Sequence, residues 1–388
     1  MPEPLGQPGR ILVVDDVEIN RDLLSRRLKQ QGHDVAIAEN GKKALERIRA
    51  ESFDLVLLDI MMPEMDGYQV LGEIQADPAL KHLPVIMISA VTEMESVVKC
   101  IEMGATDYLP KPFNPVLLKA RVGATLEKKR LRDKERLYAK SLERELEIGR
   151  EIQKSFLPEA LPQFPGWQIA ARFAPARQVA GDFYDAFELR APGQVGLIVS
   201  DVCDKGVGAA LFMALFRSLL RAAATADSGA SGAAAMLSGV VSRTNDYIAI
   251  THARAYMFAT LFFGVLDIAS GQLHYINGGH EAPILFSASG IRSRLPPTGP
   301  AVGMMAGASF DVASERIAPG EGLLAFTDGV TDALGAAGRY GEERLLGLLG
   351  RPAGSAAAVL DSIEASVREH VSGAEPADDI TMLAVFHG

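Results

Sequence analysis

Cysteine and long apolar runs are scarce in this chain of 388 residues. Its two cysteines, Cys100 and Cys203, provide neither a disulfide framework nor a metal-ligand spacing. That shortage favours a reducing, cytoplasmic setting. No apolar run approaches the roughly 18 residues that a membrane helix needs, and residues 1–10 contain no apolar signal core. The sequence therefore predicts a soluble cytoplasmic protein without membrane contact.

Basic residues are also fewer than acidic residues. The chain has 39 Lys and Arg residues against 49 Asp and Glu residues, and its net charge is −10. This balance argues against nucleic acid as the main partner, because phosphate backbones attract basic surfaces. A hydrophobic content of 48% allows ordinary globular cores, and the length suggests two or three domains.

Strand-like and helix-like segments alternate over residues 10–125. Short apolar runs end at Asp15, Asp59 and Ser89, and amphipathic stretches lie between them at 20–31 and 42–50. This alternation predicts an α/β domain with a doubly wound, parallel, five-stranded sheet. In such sheets, functional sites form beyond the carboxyl ends of the strands.

The residues at those ends suit phosphoryl transfer to a carboxylate. Asp59 is the candidate nucleophile, and Asp15 and Asp16 are the candidate Mg²⁺ ligands. Lys111 would contribute a positive charge to a phosphoryl oxygen, and Ser89 would hydrogen-bond the product. A flavodoxin-like domain with incidental acids is the alternative.

In these five positions the segment resembles the response-regulator receiver family. The resemblance implies that the backbone carbonyl of Met61 completes the Mg²⁺ site and that Tyr108 changes rotamer on activation. It also implies that a cis peptide bond joins Lys111 to Pro112. The partner that it implies is a histidine kinase or a phosphotransfer protein.

A charged segment without Pro follows and predicts a long linker helix. Apolar residues recur along it at spacings near three, four and seven, including Leu131, Tyr138, Leu142 and Ile152. This narrow seam indicates either a solvated spacer or a two-stranded coiled coil that makes a homodimer; we expect the dimer. The predicted domains are a receiver at 1–125, the helical linker at 126–158 and a catalytic domain at 159–388.

The C-terminal half contains four aspartate motifs that are widely separated in sequence. Their aspartates are Asp182, Asp201, Asp328 and the pair Asp378-Asp379. Carboxylates that converge without a cation repel one another, so the pattern favours oxygen ligands for Mg²⁺ or Mn²⁺. Two such ions about 3.5–4 Å apart can activate a water and clamp a phosphoryl group. The alternative is that these aspartates serve only as turn formers and helix caps.

Together with the blocks at 151–158, 277–283 and 327–333, these motifs resemble the metal-dependent Ser/Thr phosphatases of the PPM (PP2C) class, in their bacterial RsbU/SpoIIE branch. The resemblance covers roughly residues 145–388. It implies an α/β/β/α sandwich in which Asp201 bridges two Mg²⁺ or Mn²⁺ ions and the carbonyl of Val202 adds a ligand. Asp328 and Asp378 would hold the first ion, and Asp182 would organise water on the other.

Three points stay open in this comparison. Asp379 could replace Asp378 as the direct ligand, because the two are adjacent. The family's commoner Asp-Val-Ser-Gly pattern reads Asp-Val-Cys203-Asp204 here, which adds a carboxylate near the metals. His280 could be a general acid, but its Asn-Gly-Gly-His setting favours a turn-stabilising role.

The sequence therefore predicts a two-component response regulator with protein-serine/threonine phosphatase output. By resemblance, its substrate would be a phosphorylated anti-sigma-factor antagonist of the STAS type in a partner-switching pathway. The alternative is a non-catalytic adaptor that binds a sigma factor or an anti-sigma factor through a phosphatase-like domain. Retention of all four aspartate motifs favours catalysis.

Overall fold

The computed structural model describes residues 8–90, 94–227, 232–336, 338–350, 354–373 and 376–388. It divides the chain into two compact units, Met1–Leu142 and Glu143–Gly388. Each unit is a body with its own apolar core.

The first unit is a parallel sheet of five strands in the order β2-β1-β3-β4-β5. Its strands are β1 (Arg10–Val14), β2 (Asp34–Ala38), β3 (Leu55–Asp59), β4 (Val85–Ser89) and β5 (Asp107–Pro110). Its helices are α1 (Glu18–Gln30), α2 (Gly41–Ala50), α3 (Gly67–Ala76), α4 (Met94–Glu102) and the start of α5 (Pro115–Phe156). The predicted doubly wound sheet is confirmed.

Helices cover both faces of the central strands, which explains why these strands are apolar throughout. In β1, Ile11 and Val13 belong to the core cluster that contains residues of α1 and α5. Leu12 and Val14 belong to the cluster on the other face, which contains residues of α2 and α3. Because successive side chains point to opposite faces, a strand covered by helices on both sides needs an unbroken apolar run.

Helix α5 has 42 residues and contains the predicted linker. Leu118, Val122 and Leu126 in its first part are buried in the receiver core. Residues 131–145 are all exposed, which agrees with their charged composition. The structure thus confirms a helix here, whereas the domain boundaries at 125 and 158 stay predictions.

The second unit contains two five-stranded antiparallel sheets, ordered β13-β10-β9-β8-β7 and β12-β11-β14-β17-β6. The strands of the first are β7 (Phe183–Glu188), β8 (Gln194–Val202), β9 (Ala259–Asp267), β10 (Gln272–Gly278) and β13 (Ala313–Arg316). Those of the second are β6 (Trp167–Ala174), β11 (Ile284–Ser287), β12 (Gly290–Arg294), β14 (Glu321–Phe326) and β17 (Ile380–His387). A small hairpin is formed by β15 (Leu334–Gly335) and β16 (Gly338–Arg339).

Helices cover the outer faces of both sheets. On the first sheet lie α6 (Val207–Ala226) and α7 (Ala233–Thr251), and on the second lie α8 (Glu342–Leu349) and α9 (Ala356–Val371). The inner faces share one apolar core to which Trp167, Leu197 and Phe262 contribute. The predicted α/β/β/α sandwich is confirmed.

Within the described residues, α6 is the one helix long and apolar enough to cross a membrane by length and composition. It also contains Arg217 and Arg221, both paired with the buried Asp185 of β7. Its Met213 and Phe216 lie in the core beneath the first sheet. A core helix passes the same test, so α6 is weak evidence for a membrane span.

Candidate functional site

Three acids meet at the carboxyl edge of the receiver sheet. Asp15 directly follows β1 and Asp59 ends β3, and both are buried, whereas Asp16 is exposed. Carboxylate oxygens of all three lie within 4.8 Å of one another. Asp15 is anchored because one of its oxygens accepts a hydrogen bond from the Val17 N–H at 2.9 Å.

Lys111 completes this cluster from the end of β5. Its Nζ lies 2.9 Å from Asp15 Oδ2 and 3.0 Å from Asp59 Oδ1. Its backbone N–H donates to the carbonyl of Ser89 at 2.7 Å, which joins the ends of β4 and β5. The Lys111–Pro112 peptide bond is cis. All five residues singled out in the sequence are therefore brought together.

The cluster carries more negative than positive charge. Burial raises the pKa of Asp59 from 3.8 to about 6, Lys111 opposes that shift, and Asp15 and Asp16 add to it. Burial alone would lower the pKa of Lys111, but its bonds to Asp15 and Asp59 outweigh burial and raise it. Three carboxylates around one ammonium suit a hard divalent cation. Met61, which is 71% exposed, would offer its backbone carbonyl to such a cation, because a soft thioether does not suit Mg²⁺.

In the second unit, aspartates from both sheets converge. Asp182 immediately precedes β7 and Asp201 lies near the end of β8, in the first sheet. Asp328 follows β14, and Asp378 precedes β17, in the second. Burial and then Asp328 raise the pKa of Asp201 to about 7, although a hydrogen bond with Asp182 opposes this. Burial and then Asp201 likewise raise the pKa of Asp182.

Thr327 connects Asp182 to the second sheet. Its hydroxyl donates to Asp182 Oδ2 at 2.7 Å and accepts from the Thr381 N–H at 3.0 Å. The Thr327 N–H donates in turn to the Thr381 carbonyl at 3.0 Å. One carboxylate oxygen of Asp182 is thus held by the paired ends of β14 and β17.

The adjacent acids Asp378 and Asp379 have different partners. Both oxygens of Asp379 accept backbone hydrogen bonds, from Ala176 N–H at 2.7 Å and from Gly181 N–H at 2.9 Å. Asp378 Oδ2 instead lies 2.7 Å from Lys205 Nζ. Asp379 therefore ties down the loop before Asp182, whereas Asp378 pairs with Lys205 and accepts a backbone bond only from the adjacent Asp379 N–H at 3.0 Å.

Two glycines allow this close packing. A Cβ at position 181 would lie 2.9 Å from the carbonyl oxygen of Val202, so that oxygen faces the loop of Asp182. A Cβ on Gly329 would lie 1.9 Å from the carbonyl oxygen of Asp379. Any larger residue at either place would push the acid-bearing loops apart.

The oxygen-only donor set fits Mg²⁺ or Mn²⁺ better than a soft metal. Burial of mutually repelling carboxylates also favours a cation among them. The carboxylates of the second unit are spaced more loosely than those of the receiver. Among the described residues, only Asp15, Asp16 and Asp59 form a triad whose ligand oxygens all lie within 4.8 Å of one another. A cation would have to draw the acids of the second unit closer together.

His280 is buried and occupied in a turn. Its backbone N–H donates to Asn277 Oδ1 at 2.8 Å, and its Nδ1 lies 2.8 Å from Thr260 Oγ1. Burial lowers the pKa of His280 to about 3, so the imidazole is neutral near pH 7. A neutral ring with these partners supports the turn-stabilising role over that of a general acid.

Gln153 is a site neighbour that motif reasoning missed. It lies in the last turns of α5, 7% exposed, and its side-chain amide pairs with the backbone of Ala180. Gln153 Oε1 accepts from the Ala180 N–H at 3.0 Å, and Nε2 donates to the Ala180 carbonyl at 2.7 Å. Ala180 is two residues before Asp182. The only signal was the position of Gln153 in the block at 151–158.

Comparisons with known families cover most of the chain. The family model "Stage II sporulation protein E (SpoIIE)" matches residues 191–387, and the model "Response regulator receiver domain" matches residues 11–123. Protein IcfG of Synechocystis is 45% identical over 262 residues, which are 62% of this chain and 41% of that protein. Response regulator PleD of Caulobacter vibrioides is 41% identical over 114 residues, 29% of this chain and 25% of that protein. The chain thus spans less than half the length of either curated relative.

A solved structure resembles the second unit in fold. The SiaA-PP2C domain of Pseudomonas aeruginosa superposes with a TM-score of 0.54 and 22% identity, over 65% of this chain and 98% of that chain. This likeness supports the PP2C-type sandwich.

Proposed function

The chain belongs to the SpoIIE family and carries a response-regulator receiver domain ahead of its PP2C-type domain, and on that premise we propose that it hydrolyses phosphoserine or phosphothreonine in a protein. The observation that supports this activity is the convergence of Asp182, Asp201 and Asp328 from two sheets. Buried, mutually repelling carboxylates cost stability, so their convergence is better explained by function than by folding.

In this proposal Asp182, Asp201, Asp328 and Asp378, with the Val202 carbonyl, hold two divalent cations. Mg²⁺ or Mn²⁺, when bound, would supply Lewis-acid charge for hydrolysis of a phosphate ester. Thr327 keeps the Asp182 carboxylate in place. The structure gives Asp379 two backbone donors, so we assign it to holding the loop rather than to the metal.

The receiver is proposed to accept a phosphoryl group on Asp59 from a histidine kinase or a phosphotransfer protein. An Asp59 oxygen would attack phosphorus while the bond from phosphorus to the donor histidine nitrogen breaks. Asp15, Asp16 and the Met61 carbonyl would hold Mg²⁺, which would supply charge neutralisation. Lys111 already lies 3.0 Å from the Asp59 carboxylate, within reach of a phosphoryl oxygen there, and Ser89 ends the neighbouring strand β4.

Coupling between the two activities is proposed to run through α5. The helix is continuous from Pro115 to Phe156, and near its end Gln153 holds Ala180, next to the Asp182 loop. Phosphorylation adds a charge of about −1.5 to −2, which solvent screens within about a Debye length of 8 Å. A helix whose docking has two states could carry the signal instead.

The substrate that we propose is a phosphorylated STAS-type anti-sigma-factor antagonist, which places the chain in a cytoplasmic partner-switching pathway. Phosphate release from a phosphoserine STAS protein would be measured with the full chain and Mn²⁺, with and without beryllofluoride on Asp59. We expect release that EDTA and Asp201→Asn both abolish, while p-nitrophenyl phosphate serves as a generic substrate.

The outcomes separate the parts of the proposal. Hydrolysis of p-nitrophenyl phosphate without release from the STAS protein would reject the substrate and keep the activity. If neither the STAS protein nor p-nitrophenyl phosphate were hydrolysed, the phosphatase activity would be rejected. Binding of the STAS protein or of a sigma factor without hydrolysis would then support the adaptor function instead.

A homodimer through α5 is also proposed, because its seam is exposed along the linker. Leu137, Tyr138 and Leu142 are 70%, 75% and 56% exposed. Leu137→Gln with Leu142→Gln should shift the full chain from dimer to monomer in sedimentation experiments. The matched control is Ala139→Gln with Ser141→Gln, two exposed positions beside the seam. A monomeric wild type, or equal dissociation of the control, would refute the coiled coil.

A further inference from the structure

The receiver unit contains a concave site at the sheet edge opposite Asp59. A cavity of about 490 Å³ lies where β4 and β5 begin, between the loop before β4 and the side of α5. Its basic lining residues are Lys81, His82, Lys128, Lys129, Arg132 and Arg136. A cavity of this size falls within the roughly 300–1,000 Å³ of small-molecule sites.

Most of this positive charge is not balanced by the protein. Lys129 is neutralised, because its Nζ lies 3.1 Å from Asp54 and 2.6 Å from Asp133. Among the residues that the structure describes, no acidic group is ion-paired with Lys81, Lys128, Arg132 or Arg136. This concentration of free cations stands out in a chain whose net charge is −10.

The arrangement on α5 points to an anion. Lys128, Arg132 and Arg136 follow one another at intervals of four, so they lie on one face of the helix and line the same cavity. Like charges at this spacing repel and weaken a helix, and an anion between them reverses that effect. Guanidinium groups also bind phosphate oxygens in a two-pronged geometry.

We propose that this cavity binds a small molecule carrying a di- or triphosphate group. Four unpaired cations suit several clustered negative charges better than a single carboxylate. Leu83 and Pro84 add an apolar wall, and Thr125 adds a hydroxyl, which suits an organic body attached to the phosphates. Inorganic polyphosphates and nucleotides share a phosphate chain, and this chain is the part that the cations would bind.

The position of the site gives such a ligand a consequence. Lys128 and Arg132 follow Leu126, a residue of α5 buried in the receiver core. The opposite wall is the loop that contains Lys81 and His82. A bound polyphosphate therefore ties the first exposed turns of the linker helix to the receiver, independently of Asp59.

Calorimetric titration of the full chain tests this site. Tripolyphosphate, ATP and AMP are the probes, in EDTA so that neither acidic cluster can take phosphate through a metal. Because each charge-assisted hydrogen bond is worth about 1.5–3 kcal/mol, ATP and tripolyphosphate should bind at least about tenfold more tightly than AMP. ATP binding more tightly than tripolyphosphate identifies a nucleotide site, and the reverse identifies a site for inorganic polyphosphate.

Matched variants keep the test specific to the cavity. Lys128→Gln with Arg132→Gln should weaken binding at least about tenfold, by loss of two such bonds. Lys134→Gln with Lys140→Gln removes the same charge from exposed positions of the same helix and should change affinity less than about twofold. Circular dichroism checks that both variants keep their helix. Absence of binding to the wild type at about 1 mM probe, or equal losses in both variants, would overturn the proposal.

Discussion

Asp379 accepts a hydrogen bond from the backbone N–H of Gly181 at 2.9 Å, although 198 positions separate the two residues. The other oxygen of Asp379 accepts from the Ala176 N–H at 2.7 Å. The start of β17 thereby holds the loop that presents Asp182. Asp379 is a structural support by this geometry, and its neighbour Asp378 is the better candidate ligand.

Stability measurements should separate these two acids. Asp379→Asn places an amide N–H₂ against a backbone N–H donor, so we expect a loss of about 2 kcal/mol in the free energy of unfolding. Asp378→Asn removes a half-exposed pair with Lys205 and also removes the repulsion between Asp378 and Asp328, so we expect a loss below about 0.5 kcal/mol. Urea unfolding followed by the fluorescence of Trp167, the single tryptophan, reports on this unit. Equal losses would contradict the assignment.

Gln153 should control the Asp182 loop. Gln153→Ala leaves the N–H and carbonyl of the buried Ala180 without these partners, which should cost about 1–3 kcal/mol. We expect faster hydrogen–deuterium exchange in the peptide spanning 178–182 and a loss of the response to Asp59 phosphorylation.

The control for this variant is Lys154→Ala, an adjacent position on α5 with an exposed ion pair to Glu151. It should leave both exchange and response unchanged. Undiminished protection of the 178–182 peptide in Gln153→Ala would show that the amide pair does not hold the loop.

Receiver stability should fall as pH rises through the titration of Asp59. Its pKa is 3.8 unperturbed and about 6 in the fold. Between these values the folded protein binds more protons than the unfolded chain, so stability decreases from about pH 4 to about pH 6. Above that window the penalty persists, and Asp59→Asn should recover on the order of 2 kcal/mol at pH 7.5.

Pulse proteolysis in urea with EDTA, read at receiver peptides, measures this dependence. Asp16→Asn is the comparison, because it removes an exposed acid of the same cluster. A receiver whose stability in EDTA is flat between pH 4 and pH 6.5 would be inconsistent with a strained Asp59 carboxylate.

Asp204 adopts a backbone conformation that favours glycine. Its φ is +72°, at the position where the commoner phosphatase pattern has Gly. Left-handed backbone costs about 1–2 kcal/mol for most residues, and Asp tolerates it better than most. Asp204 also accepts the Lys205 N–H at 2.8 Å, a bond that glycine loses. We expect Asp204→Gly to raise the free energy of unfolding by about 0.5 kcal/mol.

Asp311→Gly is the control, at an exposed position outside the left-handed region. It should lower the free energy of unfolding by a few tenths to about 1 kcal/mol, because glycine gains freedom in the unfolded chain. Trp167 fluorescence in urea measures both variants. Destabilisation of Asp204→Gly as large as that of the control would argue against strain at position 204.

Local patterns in the sequence were sufficient to predict that the receiver acids cluster. Asp15, Asp59 and Ser89 each end or follow a buried strand. In a parallel sheet all such ends lie on one edge, so the cluster follows from topology alone. The linker helix was equally predictable, because composition and the absence of Pro determine it locally.

The second unit shows where local patterns stop being sufficient. The strand β7 begins only at Phe183, after the segment 178–182 that contains Gly181 and Asp182. Residues before it form the loop whose Gly181 N–H is taken by Asp379, a partner that no local pattern reveals.

The sequence by itself determined the two fold classes, the helical linker and the acids that we propose carry the chemistry, because strand periodicity and motif order are local properties. Only the tertiary structure decided which of Asp378 and Asp379 bonds both of its oxygens to the backbone of a distant segment, and that Gln153 holds the loop before Asp182. Both depend on hydrogen bonds between segments distant in sequence. Such bonds form only after the sheets pack and bring those segments together.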